Sequence, residues 1–90
     1  MVRTIKTSNN GEQPTRELSD SMLLAYLDFR GAILKPHTDN KGRVFFIVTS
    51  PNLDDLIMDY YNNPLVRLAD YLTSLRKVKT IIFDLKDSAH

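Results

Sequence analysis

The 90-residue chain contains no cysteine and no long apolar run. Without cysteine it has no disulfides, no thiolate metal sites and no thiol nucleophile. This composition fits a reducing cytoplasm, which is where we expect the protein. No apolar segment approaches the roughly 18 residues that a membrane-spanning helix needs. The first ten residues, MVRTIKTSNN, lack the apolar core of a signal peptide, so we expect no membrane partner.

The residue types that usually carry catalysis are scattered. The three glycines lie far apart in the sequence, so no glycine-rich phosphate-binding loop is present. His37 and His90 have no serine or threonine in a nucleophile context nearby. Asp55 and Asp59 lie four residues apart on a predicted helix, but Asp54 lies on an adjacent face and no other ligand is near in sequence. We therefore expect no enzyme, no catalytic residues, no cofactor and no metal site.

Composition and charge favour one small globular domain. The chain is 42% hydrophobic and 26% charged, and its 12 basic and 11 acidic residues give a net charge of +1. This balance does not indicate a nucleic-acid partner. It does not exclude one either, because the distribution of charge matters more than its sum.

Apolar spacing and helix-end signals predict an α+β fold in the order helix, strand, strand, helix, helix. Ser19 is the expected N-cap of the first helix, and Gly31 ends it. Ser50 with Pro51, and Asn63 with Pro64, are the expected starts of the other two helices. The predicted elements are a helix over 20–30, strands over 32–37 and 43–49, a helix from Ser50 to Asn62-Asn63, and a helix from Pro64 to about Asp84.

The domain is predicted to span residues 18–86, with a tail over 87–90. Residues 1–17 form either a flexible arm or an edge strand, and Val2 to Thr7 alternates well enough to be a strand. The end of the last helix, VKTIIF, also has the β-branched content of a strand, so both structures stay open there. The residues expected in the core are Leu23, Leu27, Phe46, Val48, Leu56, Ile57, Leu68, Leu72 and Leu75.

Several short motifs resemble a family of uncharacterised domains from bacteria, archaea and their phages. They are the first-helix segment SDSMLLAYLDFRG, which is similar to an LAAYL pattern, the strand segment RVFF, the helix end YYN, and the run from Leu72 to Lys77. The resemblance covers roughly Leu18 to Asp84. It implies a first helix, a β-hairpin and two further helices. The family is a domain of unknown function, so the resemblance implies no activity and no site residues.

The hairpin raises the main functional question, because its second strand is apolar on both faces. Side chains alternate along a strand, so Val44, Phe46 and Val48 point one way and Phe45 and Ile47 the other. Either the helices cover both faces, or a face or an open edge is completed by the N-terminal arm or by another chain. We favour a protein-interaction or self-association module, with a homodimer as one form. Its predicted partner-binding residues are Lys41, Arg43, Phe45 and Ile47.

Basic residues suggest a second class of function. Lys35, Lys41 and Arg43 lie on the predicted hairpin, and Arg76, Lys77 and Lys79 lie near the end of the third helix. Together they would form a surface for nucleic-acid phosphates. Hairpin charges also discourage aggregation, and cations near a helix C-terminus complement its dipole. A nucleic-acid-binding accessory domain is therefore the alternative to the protein-interaction module.

Overall fold

The computed structural model describes residues 13–88 and confirms the α+β fold. Three helices pack with a three-stranded antiparallel sheet in the predicted order, preceded by one additional strand. The elements are β1 (Thr15–Leu18), α1 (Ser21–Phe29), β2 (Ile33–Thr38), β3 (Val44–Thr49), α2 (Leu53–Tyr61) and α3 (Leu68–Ser88).

The strand order is β1-β3-β2, so the second hairpin strand is the centre of the sheet. β1 pairs with β3 from Thr15 opposite Thr49 to Leu18 opposite Phe46, and β2 pairs along the other edge of β3. Over residues 46–49 the edge of β3 is therefore completed by a strand of the same chain. The first three residues of β1 fall in the segment predicted as an arm or edge strand. The predicted strand from Val2 to Thr7 lies outside the described residues.

The hairpin turn is held by one carboxylate. Asp39 Oδ1 accepts hydrogen bonds from the backbone N–H groups of Lys41 and Arg43, at 2.8 and 2.9 Å. Gly42 has φ +83°, a conformation that glycine adopts at little cost. The hydrogen bonds from Arg43 and then Lys41 stabilise the charged form, so the pKa of Asp39 lies below its usual value.

The first helix begins one residue later than its predicted cap implies. Asp20, not Ser19, is the N-cap, and its Oδ1 accepts from the backbone N–H groups of Met22 and Leu23 at 3.0 and 3.5 Å. The negative charge also suits the positive end of the helix dipole. Gly31 follows the helix with φ +95°, as predicted from its position.

The starts of α2 and α3 differ more from prediction. The Ser50 hydroxyl donates to Asn52 Oδ1 at 2.9 Å, and regular helix begins only at Leu53. At the other end of α2, Asn63 has φ +58° in the left-handed region, which ends the helix. Residues 63–67 then have no regular structure, so α3 begins at Leu68 and not at Pro64.

The late start of α3 changes its buried face. Tyr71, Ser74 and Val78 point towards the core, whereas Leu68 and Leu72 are exposed, against prediction. Ile57 and Leu75 are half-buried, and the other predicted core residues are buried. The end of α3 is helical through Ser88, which excludes the strand alternative for VKTIIF and includes the first two residues of the predicted tail.

All three helices lie on one face of the sheet. Phe46 and Val48 are fully buried on that inner face, and Leu18, Leu34 and Val44 pack against the same core. The alternating residues of β3 point away from it and are only half-buried. The molecule is 19 Å thick in its shortest dimension, which is close to two layers of about 10 Å each. Of the two alternatives for the apolar strand, the one with helices on both faces is therefore excluded for the described residues.

Truncation of Phe46 tests the core. Phe46→Ala removes a fully buried ring at the centre of the sheet. We expect it to lower the free energy of unfolding by about 3–5 kcal/mol, measured by urea denaturation. The control is Leu65→Ala, because Leu65 is fully exposed and should change stability by no more than about 0.5 kcal/mol. Equal losses in both variants would contradict this assignment of the core.

The Asp39 turn predicts an acid-dependent contribution to stability. The pKa of Asp39 is lower in the folded state than in the unfolded chain. Its contribution is therefore present above the unfolded pKa and is lost as the pH falls through the folded pKa. We expect Asp39→Ala to destabilise the domain at neutral pH, and the difference from the wild type to shrink below about pH 3. Urea midpoints at both pH values measure this, and a constant difference would argue against it.

Candidate functional site

One concavity of the described chain is a groove lined by tyrosines. It lies between the end of α2 and the start of α3, beside α1, and has a volume of about 490 Å³. We call it the tyrosine groove, because all four tyrosines of the sequence line it. The lining residues are Tyr26, Tyr60, Tyr61, Asn63, Pro64, Val66 and Tyr71.

The rings of the groove contact one another at angles typical of aromatic clusters. The centroids of Tyr26 and Tyr60 lie 5.8 Å apart with the rings tilted by 47°, and those of Tyr60 and Tyr61 lie 5.1 Å apart in an edge-on arrangement. Tyr71 comes from α3, and its hydroxyl donates to the backbone carbonyl of Met22 at 3.0 Å. Three helices thus fix the tyrosines relative to one another.

An arginine supports the buried ring at the base of the groove. Arg30 Nη1 donates to the Tyr26 hydroxyl at 2.5 Å, and its guanidinium carbon lies 5.6 Å from the centroid of that ring. Asp59 accepts from the same nitrogen at 3.4 Å. The hydrogen bond with Tyr26, followed by the interaction with Asp59, raises the pKa of Arg30 against the opposing effect of burial. The arginine charge is therefore partnered from within the domain.

The hydroxyls of Tyr60 and Tyr71 stay neutral over a wide pH range. Burial raises the pKa of both groups above the ordinary value of 10.0, and the negative charge of Asp20 raises it further. A neutral phenol can donate a hydrogen bond, and no lining residue of the groove carries a formal charge at neutral pH. The groove is therefore apolar with hydroxyl donors.

Exposed apolar side chains line the groove or lie within four residues of its lining in sequence. Tyr61 is 67% exposed although it lines the cavity. Leu65 lies between two lining residues and is fully exposed, and Met22 and Leu68 are exposed on the two neighbouring helices.

The second candidate surface is the outer face of the sheet, which carries two of the predicted partner-binding residues. Phe45 and Ile47 lie there on β3, and the ring of His37 stacks on Phe45 at 5.5 Å. The strand register places Ile47 between Glu17 of β1 and Lys35 of β2. Ile33, exposed on β2, lies at one end of the same face.

The other two predicted partner-binding residues lie at the hairpin turn. Arg43 lines a shallow cleft together with Glu17, Ser19 and Phe45, so the structure brings it to the margin of the outer face. Its guanidinium is 3.5 Å from the Asp39 carboxylate. Lys41 is exposed in the turn itself.

The six residues predicted to bind nucleic acid divide between two elements. Lys35, Lys41 and Arg43 belong to the hairpin, and Arg76, Lys77 and Lys79 belong to α3. Lys77 Nζ lies 2.9 Å from Asp28, and Arg43 pairs with Asp39, so a carboxylate already balances two of the six charges. Binding to phosphates would compete with these pairs.

Within residues 13–88, no group of three histidine, aspartate or glutamate side chains could hold a metal ion. Asp59, one member of the carboxylate pair noted in the sequence, instead contacts Arg30. In the same part of the chain, no helix is both long enough and apolar enough to span a membrane.

A model of the family described as "Domain of unknown function (DUF5659)" matches residues 15–84. The chain belongs to the DUF5659 family. The match begins at the first residue of β1 and ends within α3, so the family domain includes the strand that the predicted start at Leu18 omits. No curated protein and no solved structure matched the chain.

The tyrosine groove of this DUF5659 domain was not predicted from the sequence. Tyr26, Tyr60 and Tyr71 lie on three different helices, and no local spacing connects them. The signal that was present is the turn after α2: Asn63-Pro64 directly after a Tyr-Tyr pair. That turn is the wall of the groove, but its sequence resembles an ordinary helix start.

Alkaline titration tests the environment of Tyr60. Because its pKa is higher in the folded state than in the unfolded chain, stability is full below about pH 10 and falls as the pH rises through the folded pKa. We expect the wild type to lose free energy of unfolding between about pH 8 and about pH 11, and Tyr60→Phe to lose less. Urea denaturation at both pH values measures this. An identical loss in the two proteins would show that Tyr60 is not in this environment.

Proposed function

We propose that this DUF5659 domain is a non-enzymatic protein-interaction module whose tyrosine groove binds an extended, proline-containing segment of a partner protein. The observation that carries the proposal is the convergence of all four tyrosines on one groove. A volume of about 490 Å³ lies within the usual range of roughly 300–1,000 Å³ for binding clefts.

The chemistry of the lining supports a proline-containing ligand. Proline rings are apolar and pack on aromatic faces, and their segments adopt polyproline II structure, in which the backbone carbonyls have no internal partner. The groove offers aromatic faces together with hydroxyl donors on Tyr60 and Tyr61. Neither hydroxyl has a hydrogen-bond partner among residues 13–88. Polyproline recognition by aromatic-lined grooves uses this combination.

The cost of binding also favours such a ligand. A polyproline II segment is already extended before it binds, so it loses little conformational entropy. On the protein side, Arg30 and the Met22 carbonyl already hold Tyr26 and Tyr71 in place. The groove is therefore preorganised, and binding requires little ordering of either partner.

A cytoplasmic location and the alternative function of nucleic-acid binding are two further expectations. The absence of cysteine supports a cytoplasmic location. Nucleic-acid binding stays a prediction. Two of the six basic residues predicted for it are already paired with carboxylates, which makes it the weaker of the two candidate functions. A salt titration of binding to generic DNA and RNA tests it, because phosphate contacts give a steep salt dependence.

A peptide titration tests the groove. Adding a blocked octaproline peptide to isotope-labelled protein should shift the backbone NMR signals of residues in and around the groove, with Tyr61 and Val66 among them. A blocked glycine-serine peptide of equal length should not shift them, because it offers no proline rings to the tyrosines. Tyr61→Ala should weaken octaproline binding about tenfold or more, a loss of about 1.4 kcal/mol.

The matched control is Phe83→Ala. Phe83 is 69% exposed and Tyr61 is 67% exposed, so both truncations remove an exposed ring at little cost to folding. Phe83 lies on α3 outside the groove lining, and its loss should change the affinity by less than about twofold. If octaproline shifts no groove signal, or if the two variants bind it equally well, the proposal is wrong.

A further inference from the structure

The outer face of the sheet carries opposite charges placed evenly around an apolar centre. In the strand register, Glu17 on β1 and Lys35 on β2 both face Ile47 on the central strand. Neighbouring strands lie about 4.8 Å apart, so the two charges lie about 10 Å from each other, one on each side of Ile47. Neither side chain forms an ion pair with another residue of the described range.

This arrangement is complementary to itself under one symmetry operation. A two-fold axis that runs parallel to β3, midway between two facing sheets, exchanges the two edges of the sheet. Glu17 of one copy then faces Lys35 of the other, and the reverse pair forms at the same time. An axis perpendicular to the strands would instead place Glu17 opposite Glu17, so the charges select the first arrangement.

The centre of the face supplies the apolar contact that such a dimer needs. Under the same axis, Phe45 and Ile47 of one copy lie over the same residues of the second copy. Both side chains are half-buried in the single chain, and the inner face of the sheet is already filled by the core. Sheets that pack face to face interdigitate such residues at a spacing of about 10 Å.

We propose that two copies of this chain associate through their outer sheet faces as a two-fold dimer, with reciprocal ion pairs between Glu17 and Lys35 around a Phe45 and Ile47 centre. The occupant is a second copy because the face carries both members of each ion pair, in the positions that a two-fold axis requires. Three short strands offer less area than the roughly 1,600 Å² of a standard interface, so the dimer is weak and reversible.

Charge exchange tests the proposed geometry. We expect sedimentation equilibrium of the full chain to show a concentration-dependent dimer. Glu17→Lys alone, and Lys35→Glu alone, each convert both interchain pairs from attraction to repulsion, and each should weaken dimerisation about tenfold or more. An equimolar mixture of the two variants should associate about as well as the wild type, because each then faces its opposite charge. The double variant E17K/K35E should also recover the dimer.

Controls separate this surface from the tyrosine groove and from other occupants. Tyr61→Ala should leave the dimer unchanged, since Tyr61 lies in the groove. Isotope-filtered NMR of a mixed labelled sample should show contacts from Phe45 of one copy to Phe45 or Ile47 of the other. The proposal is overturned by a wild type that stays monomeric at millimolar concentration, by a mixture that associates no better than its components, or by contacts from Phe45 to residues 1–12 of its own chain.

Discussion

The middle of the helix α1 is buried around more than one full turn, and the rest of the fold follows from this constraint. Its residues Leu23 to Leu27 are five consecutive buried positions, more than one full turn. A helical turn that has no solvent-exposed position must be enclosed by neighbouring elements. The sheet covers it from one side, and α2 and α3 from others. Because α2 and α3 are needed to enclose α1, all three helices of this short chain lie on one side of the sheet.

This arrangement explains why no helix of residues 13–88 lies on the outer face of the sheet. Burying the outer positions of β3 would require a further layer, and the described chain has no fourth helix to form one. On the inner face Phe46 and Val48 are fully buried. On the outer face Phe45 and Ile47 are only half-buried. An apolar face that the fold does not cover is the physical basis for expecting contact with another chain.

Sequence signals predicted the secondary structure well where a few neighbouring residues determine it. The hairpin and α1 were found because a turn glycine, Gly42, and a helix-ending glycine, Gly31, act within a few residues. The choice between arm and edge strand stayed open for residues 1–17, because TREL is mostly polar and only pairing with β3 makes these four residues a strand. The start of α3 was wrong because Asn63 in the left-handed region ends one helix without beginning the next.

The candidate sites also differ in whether local or long-range structure forms them. Phe45 and Ile47 were predicted from strand alternation, which is local, whereas the register with Glu17 and Lys35 depends on pairing between distant strands. The tyrosine groove is wholly non-local, since tertiary packing alone brings its helices together.

The two proposed surfaces lie on different layers of the molecule and share no residue. Dimerisation through the sheets would leave both tyrosine grooves free on the outer, helical layers. A partner with two proline-containing segments could then occupy both grooves of one dimer. The second contact would form at the effective concentration set by the linker between the segments, so weak single sites would give a much tighter combined interaction. A weak dimer and a modest groove are therefore consistent with a module that responds to repeated segments and binds single ones poorly.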